Sequence, residues 1–289
     1  MIPLLRYLPI LAVVFVIPVF LSMEPGTIRS MTAHWPTTAL SIVLLYLVFW
    51  FRALTWWRFL ASKGIPVGFR TAVVSRFITI LTKYVPGKVW PLLSMAAYIE
   101  SEAYAYRDSL ASVSMYQAAI LASGIGLGGV GILAILHAPI GLYPMPLVVI
   151  FLAATAVDRR WFAERVIRPL SCRFGLSARH AGLRSSPLLL ACTGHWVIMA
   201  VAYWLMFRSV TLEVSLPVVL AQSLANVVGM LVPFTPGGLG VREAAATGYL
   251  ATVTLDAGTA LVYASLARAW SFLVEVLVFS TGLLLNRLA

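Results

Sequence analysis

Only 11% of the 289 residues in this chain are charged, and that scarcity limits most strongly what the chain can fold into. A soluble domain carries about 25% charged and about 45–50% apolar residues, whereas 61% of this chain is hydrophobic. So few charges cannot cover a water-exposed surface, and we expect an integral membrane protein. The net charge of +11 then fits cytoplasmic loops beside anionic lipid better than it fits a nucleic-acid partner.

Uncharged stretches of about 20 residues predict the membrane-crossing helices. The stretch 109–157 is long enough for two crossings, which the turn signals between Pro139 and Pro146 would separate. Four other stretches each predict one crossing, which makes six full transmembrane helices. Three of these four stretches, residues 7–23, 30–51 and 185–207, are uncharged, and the fourth, residues 257–286, contains Arg268 and Glu275.

Two further apolar stretches, residues 70–98 and 214–255, are interrupted in the same manner. The first contains a proline–glycine pair at 86–87, and the second contains PFTPGGLG at 233–240. Proline ends a helix and glycine permits a turn. Each stretch is therefore predicted to form two short half-helices that meet at a break, and we name the two stretches the first and second broken segments.

The distribution of Lys and Arg in the short loops predicts the orientation of the chain. The arginine-rich loop 158–184 and the loops 52–70 and 98–108 are expected on the cytoplasmic side. The first broken segment then enters and leaves from the cytoplasm, and the second from the outer side. Residues 1–289 are thus predicted to form one all-α transmembrane domain with six full crossings, two oppositely oriented re-entrant hairpins and cytoplasmic termini. Inverted repeats of this kind place substrate sites near the bilayer midplane, although full crossings through each broken segment remain an alternative.

The two breaks also predict an anion site. A half-helix that starts at a break presents free backbone N–H groups and a positive dipole end. Lys83 and Lys88 flank the first break, and Arg242 follows the second. The phosphate of a lipid head group is the expected ligand, and the alternative is that the breaks only shape the fold.

Charged residues within the apolar helices point to the same region. Arg76, Thr79 and Lys83 share one helical face and predict a polar stripe towards the first break, unless Arg76 snorkels to the interface. Arg268 and Glu275 lie about 10 Å apart along the last helix, so Arg268 is expected to pair with Glu243 instead. Charges at this depth indicate function, with a network that locks two helices together as the alternative.

A run of five glycines lies inside an uncharged crossing. It lacks the lysine of a phosphate-binding loop, so close helix packing is the better interpretation. The five are Gly124, Gly126, Gly128, Gly129 and Gly131.

The two broken motifs, KYVPGKVW at 83–90 and PGGLGVRE at 236–243, resemble one family when taken together. It is the flippase-like family that includes the transmembrane region of lysylphosphatidylglycerol synthase, the multiple peptide resistance factor. The resemblance spans roughly residues 50–285, and Trp57, Leu60, Gly64 and Arg268 also fit its pattern. The elements that the resemblance implies are shared are Pro86, Gly87, Lys88, Trp90, Pro236, Gly237, Gly238, Gly240, Arg242 and Glu243.

The resemblance implies a polytopic cell-membrane protein that moves lipids between leaflets, with aminoacylated phosphatidylglycerol and polyprenyl-phosphate-linked sugars among the family's substrates. Two features depart from the family. Many members have an acidic residue just before the position of Gln117, where this chain has Tyr116. The chain also lacks a soluble synthase domain, so aminoacyl transfer from tRNA is not expected of it.

The sequence therefore predicts a lipid flippase of the cell (inner) membrane that moves an anionic lipid, either a phospholipid or a polyprenyl-phosphate-linked sugar. It predicts no enzymatic activity, catalytic residue, metal or cofactor. Arg76, Arg268 and Glu275 are expected to line the cavity, with Glu243 or Glu275 as candidates for proton coupling. The residues expected to bind the substrate are Lys83, Tyr84, Pro86, Gly87, Lys88, Trp90, Gln117, Pro236, Gly237, Gly238, Gly240, Arg242 and Glu243.

Two other functions stay open. One is a non-transporting membrane partner of a lipid-modifying or polysaccharide-synthesis enzyme, and a homo-oligomer is open as well. The other is a membrane enzyme that acts on lipid phosphates. It is the weaker candidate because the sequence offers no paired carboxylates, metal ligands or nucleophile with a base.

Overall fold

A computed structural model describes residues 25–85, 89–100, 105–157, 185–232, 235–254 and 256–287. Every regular element in these ranges is helical. Three short 3-10 helices occupy Ile80–Tyr84, Ile140–Leu142 and Pro236–Gly238. The α-helices are α1 (Pro25–Ala33), α2 (Trp35–Ser62), α3 (Phe69–Ile78), α4 (Trp90–Ile99), α5 (Tyr106–Ile135), α6 (Met145–Val157), α7 (Ser185–Ser209), α8 (Leu216–Leu231), α9 (Val241–Thr254) and α10 (Ala257–Arg287).

Four helices of the described residues are long and apolar enough to cross a membrane, namely α2, α5, α7 and α10. A crossing helix needs about 20 residues to span a hydrocarbon core about 30 Å thick. These helices correspond to the predicted crossings at 30–51, 185–207 and 257–286 and to the first half of 109–157. The predicted crossing at 7–23 and the basic loop 158–184 lie outside the described residues.

The stretch 109–157 divides where the turn signals predicted. Helix α5 ends at Ile135 and helix α6 begins at Met145, with a 3-10 turn between them. Pro146 lies in the first turn of α6, where a missing N–H costs nothing. The described part of α6 has 13 residues, so it is shorter than a full crossing.

Both broken segments consist of two half-helices, as predicted. The first comprises α3 and α4 with 10 residues each, and the second comprises α8 with 16 and α9 with 14. At about 1.5 Å per residue, the longest of them reaches only about 24 Å and cannot cross the hydrocarbon core alone. Pro91 and Pro217 lie in the first turns of α4 and α8, the position that proline favours.

The second break depends on glycines in left-handed backbone conformations. Gly237, Gly238 and Gly240 have φ angles of 59°, 75° and 77°. At Gly238 a Cβ would lie 2.5 Å from the carbonyl oxygen of Gly229 on α8. Any other residue there would strain the backbone and clash with the Gly229 carbonyl. The close contact between the second break and α8 therefore requires glycine.

The glycine-rich run packs α5 against two neighbours, which confirms the packing interpretation. Gly124, Gly128 and Gly131 face α8, where a Cβ at each would lie 2.6 Å from Val227, Leu224 or Ala221 and Pro217. Gly126 and Gly129 face α6. The run therefore lets α5, α6 and α8 approach closely.

The described helices include two sets of four in the same order, α2 to α5 and α7 to α10, which we name the first and second halves. The helices of the two halves pack in matching pairs. Helix α2 packs against α7, and each half-helix pair packs internally, α3 with α4 and α8 with α9. Across the halves, α3 packs against α10 just as α8 packs against α5. Each broken segment is thus held by a long helix of the opposite half.

Candidate functional site

The two breaks meet inside the protein. Gly237 of the second break lies against the ring of Tyr84, which ends the 3-10 turn of the first. A Cβ at Gly237 would lie 2.5 Å from Cε1 of Tyr84, so this contact also requires glycine. The Tyr84 ring further packs edge-on against Phe272 of α10.

Helix α10 connects both breaks through ionic and polar contacts. Glu275 accepts hydrogen bonds from the Lys83 ammonium group and from the Tyr84 hydroxyl, the latter at 2.9 Å. Two turns earlier, the Arg268 Nε lies 3.6 Å from a Glu243 carboxylate oxygen, and its guanidinium donates to the Gly237 carbonyl at 2.9 Å. The predicted Arg268–Glu243 pair is confirmed.

The Lys83–Glu275 pair is expected to contribute measurably to stability, because the Glu275 side chain is only 4% exposed and the lysine 29%. Removing either charge leaves the other in a poorly solvated site. Lys83→Gln and Glu275→Gln should each lower the melting temperature of the detergent-solubilised protein. In a double-mutant cycle the coupling should be about 0.5–3 kcal/mol.

The matched control for that cycle is Glu213→Gln, which removes an exposed carboxylate between α7 and α8. It should leave the melting temperature within error of the wild type. Strictly additive effects of the two pair mutations would contradict the contact.

A cavity of about 320 Å³ opens beside the meeting point of the breaks. Helices of both halves line it with apolar, hydroxyl and amide side chains and with five cations against a single carboxylate, Glu275. The described part of the chain therefore encloses a cationic chamber within an otherwise apolar helix bundle. The cations are Arg52, Arg76, Lys83, Arg242 and Arg268.

The predicted polar stripe of Arg76, Thr79 and Lys83 lines this cavity. The Arg76 guanidinium lies 5.0 Å from the centroid of the Tyr116 ring, and one of its nitrogens is 3.7 Å from the Met95 sulfur. A cation over an aromatic face is stabilised by the ring's quadrupole. Arg76 therefore points inward and does not snorkel away from the site.

Arg242 lies deep in the cavity wall, with 8% of the residue exposed. Its guanidinium donates to the Tyr203 hydroxyl at 2.6 Å and to the Ser271 hydroxyl at 3.2 Å. Asn226 also lines the cavity, and its amide nitrogen is buried without a hydrogen-bond partner among the described residues. The cavity lining thus includes a hydrogen-bond donor that has no acceptor among the described residues.

Arg52 was predicted to lie at the start of a cytoplasmic loop and was not among the predicted site residues. The structure corrects this, because α2 continues to Ser62 and Arg52 lines the cavity from within the helix. The helix continues beyond Arg52 with a buried apolar face formed by Ala53, Trp56 and Leu60. The helical spacing of these three apolar residues was the sequence signal that the helix does not end at Arg52. Tyr203, Asn226 and Ser271 were missed as well.

The remaining predicted residues are not all gathered at the cavity. Gln117 lines it, with its amide nitrogen 3.7 Å from the Met230 sulfur. Trp90 is 40% exposed at the start of α4 and is not among the lining residues. Pro236, Gly238, Gly240 and Glu243 support the second break without lining the cavity, and Pro86, Gly87 and Lys88 lie outside the described residues.

The residues that line the cavity suit the binding of an anion. The lining residues include no His, Cys or Asp, and the described part of the chain holds no cluster of three or more potential metal ligands. Guanidinium groups and amide donors instead match the oxygens of a phosphate.

The chain matches a known protein family over most of its length. The model of the lysylphosphatidylglycerol synthase TM region matches residues 8–278. No curated protein and no solved structure matches the chain. With the four candidate membrane spans, this match makes the chain a multi-pass helical membrane protein, and it confirms the resemblance inferred from the two broken motifs.

Proposed function

The chain belongs to the family of the lysylphosphatidylglycerol synthase transmembrane region, and from that premise we propose that it moves an anionic lipid between the leaflets of a membrane. The observation that carries the proposal is the cationic cavity enclosed by helices of both halves. Ionisable groups within a membrane domain mark the path of a polar substrate. A lipid head group is a substrate that must pass such an apolar barrier.

The size of the cavity supports a head group as its occupant. Ligand pockets measure about 300–1,000 Å³, and the cavity of about 320 Å³ lies at the small end of that range. The head group would occupy the cavity while the acyl or prenyl chains stay in the bilayer. No covalent step is needed, so the proposed activity is transport and not catalysis.

We further propose that the two halves are inverted repeats with re-entrant hairpins. Exchanging α2 with α7, α3 with α8, α4 with α9 and α5 with α10 converts the packing pairs of one half into those of the other. Half-helices too short to cross a membrane fit hairpins that enter and leave by one face. Rocking of one repeat against the other would then expose the cavity to each leaflet in turn.

The location and orientation in the cell follow from the same proposal. The protein would lie in the cell membrane, with its arginine-rich loop and both termini on the cytoplasmic side. Both broken segments would then reach the cavity from opposite faces of the bilayer.

The proposal is tested by reconstituting the purified full chain into liposomes that contain a trace of fluorescent phosphatidic acid. A membrane-impermeant reductant quenches only the outer-leaflet label unless lipid is moved between leaflets. We expect nearly complete quenching with the protein and only outer-leaflet quenching in protein-free liposomes. Quenching equal to protein-free liposomes for every anionic lipid tried would contradict the proposal and favour a non-transporting partner of a lipid-modifying enzyme.

A further inference from the structure

The charges around the cavity do not balance within the described residues. Lys83 pairs with Glu275, and Arg268 pairs with Glu243. The other three lining cations, Arg52, Arg76 and Arg242, have no carboxylate partner among the residues that the structure describes. They come from α2, α3 and α9, so three separate helices each supply one uncompensated guanidinium.

The groups that Arg242 and Arg76 contact directly are neutral. Arg242 donates to two hydroxyl groups, and Arg76 contacts an aromatic ring and a thioether sulfur. The Arg52 Nε is buried without a hydrogen-bond partner in the described part of the chain. The buried amide nitrogen of Asn226, which also lines the cavity, adds a further unused donor.

Uncompensated charge in a poorly solvated site is costly, and a bound anion would offset that cost. A phosphodiester with one negative charge would compensate only one of the three guanidiniums. A head group that also carries an ammonium group would add a cation to a cavity whose lining carboxylate among the described residues, Glu275, already pairs with Lys83. Glu243, whose carboxylate oxygens accept no hydrogen bond among the described residues, does not line the cavity.

We propose that the cavity selects a lipid head group with at least two negative charges and no ammonium group, such as a phosphomonoester or a diphosphate. This inference rests on the proposed function in taking the ligand to be a lipid. The charge requirement itself follows from the three arginines and holds whether or not the lipid is moved.

The test measures the affinity of the purified full chain, in a neutral detergent, for soluble probes of graded charge. The probes are farnesyl diphosphate, dioctanoyl phosphatidic acid, dioctanoyl phosphatidylglycerol, dioctanoyl lysyl-phosphatidylglycerol and inorganic diphosphate. Hydrogen bonds between two charged groups are stronger than those between neutral groups. Farnesyl diphosphate and phosphatidic acid should therefore bind at least about tenfold more tightly than phosphatidylglycerol, which corresponds to about 1.4 kcal/mol. The lysyl lipid should bind most weakly.

A matched pair of variants assigns the selectivity to the cavity. Arg52→Gln should reduce the preference for farnesyl diphosphate over phosphatidylglycerol by about tenfold. Arg58→Gln, six residues further along the same helix and exposed, should leave that preference unchanged. If Arg52→Gln does not fold, the ranking of the probes on the wild-type protein still decides the inference.

Three other outcomes distinguish a failure of the charge requirement from a failure of the proposed lipid transport. Lysyl-phosphatidylglycerol or phosphatidylglycerol binding as tightly as the diphosphate lipid would overturn the charge requirement, even if lipid movement is observed. Selective binding of the diphosphate lipid without any lipid movement would support the requirement and contradict transport. Inorganic diphosphate binding as tightly as farnesyl diphosphate would overturn the assignment to a lipid.

Discussion

Replacing Arg242 by glutamine is expected to stop the movement of anionic lipid in proteoliposomes while the protein still inserts and folds. The guanidinium lies in the cavity wall and donates to Tyr203 and Ser271. Glutamine keeps a donor for one of these hydroxyls but removes the charge that would meet a phosphate. Because a hydrogen bond to a charged group is worth about 1.5–3 kcal/mol, the transport rate should fall at least about tenfold.

The control for this variant is Arg208→Gln. Arg208 is exposed on α7, with its guanidinium 4.9 Å from the Trp204 ring and away from the cavity. It should move lipid at the wild-type rate. A wild-type rate for Arg242→Gln, at equal protein incorporation and with a monodisperse elution profile, would remove Arg242 from the site.

Replacing Gly128 by alanine is expected to destabilise the protein strongly. The new Cβ would lie 2.6 Å from the Leu224 Cβ and 2.7 Å from the Leu224 backbone nitrogen. Backbone cannot give way as a side chain can, so α5 and α8 would have to separate. The cost should reach or exceed the about 1–3 kcal/mol typical of overpacked cores and lower both the yield and the melting temperature in detergent.

Gly248→Ala is the matched comparison, since Gly248 lies within α9 with nothing within 4 Å of a Cβ. Here alanine adds helix propensity worth up to about 1 kcal/mol without a clash. The two substitutions should therefore shift the melting temperature in opposite directions. Equal shifts would mean that α5 and α8 do not pack through their glycines.

The main elements of the fold could be predicted from the sequence because the bilayer imposes simple rules on composition. Long uncharged runs predicted α2, α5 and α7, and a long apolar run that contains Arg268 and Glu275 predicted α10. Proline with glycine located the breaks between α3 and α4 and between α8 and α9. The run of glycines predicted close packing for the same reason, since the absence of a side chain is visible in the sequence.

The composition of the cavity could be predicted only in part. Spacing along a single helix identified the stripe of Arg76 and Lys83, and the pairing of Arg268 with Glu243 followed from the distance along α10. Arg52 was missed because a charge was taken as the end of a crossing, whereas the buried face of α2 continues beyond it. Tyr203 and Asn226 carry no local signal, because only tertiary packing places the Tyr203 hydroxyl beside Arg242 and the Asn226 amide at the cavity.

The central claim is that the cavity binds an anionic lipid, and native mass spectrometry of lipids retained by the purified protein tests it most directly. Wild type and Arg208→Gln should retain one class of anionic lipid selectively, and Arg242→Gln should lose it while keeping its mass and oligomeric state. The same unselective mixture of membrane lipids on all three proteins would contradict the claim.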